Sequence, residues 1–286
     1  MTSSHDTAAP AATSTFPAIA FIGGGNMAGA ILGGLRQRGV PADRFEVVEP
    51  FGGARDRLLA DFGIEARVAA SDALARCKAV VWAVKPQSFS EAAIPVAALT
   101  SEALHLSVAA GIPSDSIARW LGTQRVVRTM PNTPALIGQG MTGVFARPGA
   151  SSPADRALTE AILSPTGRLV WVDDEAALDA VTAVSGSGPA YVFYFIEAMI
   201  EAGVEMGLSP QQARELAIGT FTGASALASE AQEPPAVLRE RVTSKGGTTS
   251  AALSSMEAAG LKTHFKAAMQ AARARAGELA VEFGKD

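Results

Sequence analysis

AIAFIGGGNMAGAILGGL, residues Ala18–Leu35, joins a short apolar run to a helical pattern through three glycines. Gly23, Gly25 and Ala28 fall at the G-x-G-x-x-A spacing, directly after a strand and before a helix. In that setting Gly23 permits the tight turn and Gly25 lets the backbone approach a pyrophosphate. Ala28 allows close helix–strand packing, and the free amides at the helix start point at the anion. Glycines also serve ordinary turns. The position of these on the first strand of an alternating region is what makes the dinucleotide reading.

The alternation continues outward from there. AIAFIG (18–23), FEVVE (45–49), AVVWAV (79–84), ALHLSVAA (103–110) and RVVRTM (125–130) read as buried strands, and MTGVFA and RLVWV add two more at the sheet edge. Segments such as NMAGAILGGLRQRG and GARDRLLADFG lie between them with helical spacing and glycine stops. The pattern predicts an α/β Rossmann domain, doubly wound around a mainly parallel sheet, over residues 17–174. Glu49 ends the second run, where an acid commonly bonds the ribose diol and leans the site toward NAD(H). Arg55 and Arg57 follow within a turn and could instead meet a 2′-phosphate, or all three could be solvated surface charges. Lys85 in WAVKPQ (82–87) and the AAG at 109–111 end further strand runs. Each is an ordinary turn taken alone. Together they outline one crevice at the carboxyl ends of the strands.

The totals set bounds. The chain has 286 residues, 48% apolar and 18% charged, which suits two globular domains. A formal net charge of −4 gives no reason to expect nucleic acid or an anionic membrane as partner. No apolar run approaches the roughly 18 residues that a bilayer span requires. Cys77 is the single cysteine, which excludes an internal disulfide or a thiolate metal cluster and fits a reducing cytoplasm. His5, His105 and His264 are too scattered to suggest a metal site. Residues 1–16 are small and polar, without a basic start or an apolar core, and are expected to form a disordered tail rather than a targeting signal.

After about Asp174 the strand signal stops, and residues 175–286 are expected to form an all-α dimerisation and substrate domain. GPAYVFYFIEAMIEAGVEMGL is apolar around most of its circumference, with Pro189 suited to a first helical turn. It exposes too much apolar surface for a monomer, so the helical domains should pair. Ser209 and Gln212 stand at capping-box spacing. In the last helix Leu261, Phe265, Ala268, Ala272, Ala276, Leu279 and Phe283 form one stripe.

The helical half also limits the reaction. Reducing a carbonyl to an alcohol needs an acid on the oxygen, usually His or Lys. The β-hydroxyacid dehydrogenases carry a lysine one turn after a glycine-rich segment; the comparable SGSGPAYVFYFIEAM has none. A cyclic imine makes a lighter demand, because it protonates near neutral pH and chiefly needs positioning. If it bears a carboxylate, a helix N-terminus flanked by hydroxyls is a fitting anchor. Gly246–Gly247–Thr248–Thr249 in VTSKGGTTSAAL (242–253) supplies one. From the stretch alone, Thr248 or Thr249 as a plain helix cap is the first reading, ahead of the anchor.

Five motifs in order, GGGNMAGAI, WAVKPQ, RTMPNTPALIGQGMTGVF, DAVTAVSGSGPAYVF and VTSKGGTTSAAL, resemble the motif series of pyrroline-5-carboxylate reductases. The similarity runs from about Ile19 to the C-terminus. It implies a Rossmann domain followed by a helical dimerisation domain, a homodimer or decamer, and NADPH- or NADH-dependent reduction of 1-pyrroline-5-carboxylate to L-proline. By this resemblance Ile22, Gly23, Gly24, Gly25, Asn26 and Met27 cradle the cofactor phosphates. Ala83, Val84, Lys85 and Pro86, with Ala109, Ala110 and Gly111, line the nucleotide. Amides around Gly246, Gly247 and Thr248 bind the substrate carboxylate, and Ser244 adds a hydroxyl. Thr249 hydrogen-bonds the ring nitrogen as orienter and proton relay. Asn132 faces the crevice from a loop beside the nicotinamide, a loop that Pro131 and Pro134 would also make rigid. Two departures stand out: Lys245 occupies a place where proline is common, and Arg241 one where asparagine is frequent. The alternatives are a β-hydroxyacid dehydrogenase with a displaced base and a non-catalytic dinucleotide sensor.

Overall fold

The computed structural model describes residues 16–285. The expected tail over 1–16 lies outside these residues except for Phe16, which packs against the hydrophobic core. The described chain divides into two compact units: residues up to Gly186 together with those from Ala274 onward, and Ser187–Arg273.

Seven short strands build the first unit: β1 (Ile19–Ile22), β2 (Phe45–Val48), β3 (Ala79–Trp82), β4 (Leu104–Ser107), β5 (Val126–Met130), β6 (Gly140–Ala146) and β7 (Gly167–Trp171). They form one sheet in the order β2-β1-β3-β4-β5-β6-β7. The first five are mutually parallel, and β6 turns antiparallel to β5 while running parallel to β7. The helices α1 (Asn26–Gln37), α2 (Gly52–Phe62), α3 (Phe89–Ala97), α4 (Ser114–Leu121), α5 (Pro153–Leu163) and the short α6 (Ala177–Val181) connect or flank them. Parallel strands need such crossovers, and helices on both faces bury both faces of the sheet.

Strand alternation is visible in the core. Ile19, Phe21, Val81 and Leu106 join one cluster, while Ala20, Ile22, Val80 and Trp82 join the other. Each run is therefore apolar throughout, the sequence signature of a strand buried on both sides. β7, at the edge, alternates between half-buried and exposed positions instead. Strand order reverses between β1 and β3, where such sheets open a crevice at the carboxyl ends of the strands.

The second unit is helical: α7 (Gly188–Glu205), α8 (Pro210–Glu230), α9 (Pro235–Arg241), α10 (Thr248–Ala258) and the start of α11 (Leu261–Phe283). The expected capping box is present, with Ser209 Oγ accepting the Gln212 N–H and the Gln212 side chain accepting the Ser209 N–H. α7 packs on α8 where Gly203 meets Ala213, and an added Cβ on Gly203 would lie 3.0 Å from the Ala213 Cβ. Phe193 and Tyr194 on α7 are 64% and 69% exposed within this chain, far above what an apolar helix leaves uncovered when its partners are all present. The last turns of α11, by contrast, belong to the first unit: Leu279 and Phe283 lie against Gly111, where a Cβ would come within 3.0 Å of the Leu279 Cβ.

Candidate active site

Two glycine turns, one in each unit, contain the residues expected to form the site. The first links β1 to α1. Gly23 has φ +95°, a conformation that side chains resist, and an added Cβ would stand 2.6 Å from the Ala83 carbonyl oxygen. Its N–H donates to Val48 O at 2.8 Å, and Ala83 N–H donates to Ile22 O at 2.8 Å. The exits of β2, β1 and β3 are thereby drawn together. Gly25 is the N-cap of α1, and a Cβ placed on it meets nothing within 4 Å. That open side, with first-turn amides that lack intrahelical acceptors, fits the close approach of a pyrophosphate. The residues present therefore fit a dinucleotide.

Around the crevice, Lys85 is exposed at the end of the β3 connection and Pro86 begins a short 3₁₀ turn. Val108 N–H donates to Trp82 O, Ala109 is buried, and Gly111 takes φ +76° beneath the end of α11. Two expected crevice residues are buried and hydrogen-bonded within the chain. Glu49 is 5% exposed, and its carboxylate accepts N–H groups from Gly24 at 2.7 Å and Phe51 at 2.8 Å. Asn132 is 8% exposed; its Nδ2 donates to Ser185 O and its Oδ1 accepts the Met141 N–H. Rather than presenting its amide to the crevice, Asn132 ties the loop after β5 to the start of β6 and to the π-helical turn Thr182–Gly186. Buried amides are held by whichever partners the backbone brings near, and residue spacing does not reveal which.

A partly buried ion pair in the same region was not foreseen. Arg128 of β5, 7% exposed, donates to Glu175 at 2.9 Å, and Glu175 also accepts the N–H and the hydroxyl of Ser114. These bonds hold the β5 exit, and so the Pro131–Asn132 loop, to the segment before α6. The available signal was an arginine inside an apolar strand, a position that requires a partner. His105, also unassigned, is core: its Nδ1 accepts from the Trp82 indole at 3.1 Å and its Nε2 meets Thr100 O at 3.1 Å. Burial pushes its pKa down to about 4. Burial likewise raises the Cys77 thiol to about 11, so it is an inert core group. Among the described residues no three His, Cys, Asp or Glu side chains could hold a metal ion.

The second turn precedes α10. Gly246 has φ +74°, and Gly247 is the N-cap with φ −82° and ψ 172°. No side chain caps this helix. Thr248 and Thr249 are its first two residues rather than its cap, so the reading of either as a plain cap does not hold. Gly247 N–H donates to Ser244 O, and Ala251 N–H to Gly247 O. The amides of Thr248, Thr249 and Ser250 have no intrahelical acceptor by position. Thr243 spends its hydroxyl on Arg239 O at 2.6 Å, whereas Ser244, Thr248 and Thr249 make no side-chain hydrogen bond among the described residues. Lys245 is exposed beside them, and Arg241 pairs with Glu233 on the surface. The turn thus presents free amides, free hydroxyls and one cation, a combination suited to a small carboxylate.

Comparison with known proteins agrees with both halves. Residues 175–279 match the family model described as pyrroline-5-carboxylate reductase dimerisation, which supports self-association. Residues 18–111 match the model described as NADP oxidoreductase coenzyme F420-dependent. Pyrroline-5-carboxylate reductase of Pseudomonas aeruginosa is 45% identical over 94% of this chain and 99% of its own length. The structure of a pyrroline-5-carboxylate reductase from Coxiella burnetii superposes with a TM-score of 0.87 at 34% identity, over 95% of this chain and all of that one. Plasmodium falciparum pyrroline carboxylate reductase, solved with NADP bound, gives 0.82 at 25% identity, over 92% of this chain and 98% of that one. The two glycine turns thus occur within a likeness that spans nearly the whole sequence, and the chain belongs to the pyrroline-5-carboxylate reductase family.

Proposed function

We propose that the chain reduces 1-pyrroline-5-carboxylate to L-proline, consuming one NADPH or NADH and one proton per imine. The observation that carries this reading is the second turn: a helix start with no side-chain cap, a left-handed glycine before it, and hydroxyls free of internal bonds. The nicotinamide, when bound, supplies the hydride that converts the C=N carbon to C–H. Gly23 and Gly24 shape the turn and the amides of Gly25, Asn26 and Met27 hold the pyrophosphate, with Ala83 to Pro86 and Ala109 to Gly111 along the nucleotide. The free amides of Thr248 and Thr249, on the turn made by Gly246 and Gly247, and the Ser244 hydroxyl hold the substrate carboxylate. Thr249 Oγ orients the ring nitrogen and relays its proton. No strong protein acid is needed, because the imine already carries its proton near neutral pH, so the protein's task is orientation and charge complementarity.

Residues 17–174 serve as the nucleotide domain and 175–286 as the substrate and dimerisation domain, although the stretch up to Gly186 and the last turns of α11 pack with the nucleotide domain. The exposed apolar face of α7 supports a homodimer or a decamer built from dimers. Among the described residues no helix is long and apolar enough to cross a membrane, and we place the enzyme in the cytoplasm. Oxidation of NADPH or NADH by the purified chain, measured with and without pyrroline-5-carboxylate, tests the proposal. Imine-dependent oxidation with stoichiometric L-proline is expected. Turnover of 3-hydroxyisobutyrate instead would make the chain a β-hydroxyacid dehydrogenase, and nucleotide binding without turnover would make it a sensor.

A further inference from the structure

Glu49 stands where an acid selects NAD(H) by bonding the ribose diol, yet its geometry is different. One carboxylate oxygen accepts the Gly24 N–H at 2.7 Å and the other the Phe51 N–H at 2.8 Å, with the residue 5% exposed. The neighbouring Gly23 N–H is bound to Val48 O at 2.8 Å. Two successive amides of the dinucleotide turn are therefore fastened to the end of β2, one by main chain and one by side chain. The contact is tight: a Cβ on Gly24 would lie 3.3 Å from Glu49 Oε2 and 2.7 Å from Leu58 Cδ1. The strand exit is closed from outside by Arg55, whose Nη1 donates to the carbonyls of Glu49 at 3.0 Å and Pro50 at 2.6 Å.

A diol ligand needs a carboxylate whose oxygens are reachable from the crevice. This one is buried under the turn, and each oxygen, though it keeps a second lone-pair site, is already held by a backbone N–H. Charge-assisted bonds of this kind are short and strong, and they fix the donor's direction. With Gly23 and Gly24 tied back, the amides of Gly25, Asn26 and Met27 are left to face the ligand.

We infer that Glu49 is a positioning residue that braces the dinucleotide turn, and that it does not select between NADPH and NADH. The inference rests on the proposed reading only in taking the turn as the nucleotide site. Binding titrations without imine therefore test it separately from turnover. For Glu49→Gln, the dissociation constants of NADPH and NADH should both rise about 5- to 20-fold, since a charge-assisted bond to Gly24 is weakened. Their ratio should stay within about twofold, and kcat at saturating cofactor should hold while KM rises, as uniform binding loss requires. NADH weakening while NADPH tightens would overturn the inference, because that is the behaviour of a diol ligand. Unchanged affinity for both would also overturn it. Should Glu49→Gln fail to fold, the unaltered chain gives the answer: a 2′-deoxyribose analogue of NADH should bind within about threefold of NADH, whereas a loss of about tenfold or more, one hydrogen bond's worth, would restore Glu49 as the diol ligand.

Discussion

The two glycine turns are built alike and finished differently. Both lead from a glycine with positive φ into a helix whose N-cap is glycine. Around Gly23–Gly24 every approach is filled: the Ala83 carbonyl, the Leu58 methyl and the Glu49 carboxylate all stand within 3.3 Å of where a side chain would begin. Around Gly246 a Cβ would meet nothing within 4 Å, and at Gly247 it would meet only Ser244. The first turn is a rigid cradle whose shape is set by the sheet. The second is an open rim where the Thr248 and Thr249 amides and the Ser244, Thr248 and Thr249 hydroxyls have no other employment. A large ligand with one invariant pyrophosphate suits the first, and a small acid held through its carboxylate suits the second.

Substitution should break this contrast most sharply at Gly23. Gly23→Ala places a methyl 2.6 Å from the Ala83 oxygen at φ +95°. Strain and overlap should lower stability by about 2–4 kcal/mol, with NADPH binding lost in titration. The first unit should also differ from the second in acid. His105 is buried neutral with its pKa lowered from 6.5 to about 4, chiefly by burial. The unfolded chain therefore takes up the proton first. The stability this group contributes is complete above pH 6.5 and is lost as pH falls toward 4, on the order of 3 kcal/mol in all. Chemical denaturation from pH 7 to pH 4 should show that slope in the unaltered chain and a flatter one in His105→Gln. Parallel slopes would refute the assignment.

At the open rim the effects should be kinetic. Thr249→Ala should lower kcat about 100-fold, the scale of one oriented donor. NADPH affinity and melting temperature should change little, since the hydroxyl makes no internal bond. Equal losses of turnover and cofactor affinity would reduce Thr249 to a structural residue. The smallest effect belongs to Lys245: removing an exposed cation in Lys245→Ala should raise the imine KM about two- to fourfold and flatten its dependence on salt.

Much of the first turn was legible because its contacts are local. Strand, glycine spacing and helix lie within one short stretch, and the parallel strands announce themselves as short, mainly apolar runs, unbroken in β1 and β3. What spacing does not carry is direction. It places Glu49 at the end of β2 and Asn132 after β5, but the inward aim of each side chain depends on amides brought near by other elements. The stripe on α11 was equally plain as a pattern. That Leu279 and Phe283 rest on Gly111 in the first unit follows from where the chain returns, which a helical period does not encode. At the second turn the residues left cap and anchor open, because hydroxyls before an apolar run serve both. The backbone removes the cap reading by making Gly247 the N-cap.

A crystal structure of the chain with L-proline and NADP⁺ tests the central claim most directly. The account predicts the proline carboxylate on the amides of Thr248 and Thr249 at about 2.9 Å, with the ring nitrogen in reach of Thr249 Oγ. Proline bound with its carboxylate on other groups, and the 244–249 turn left without it, would contradict the account.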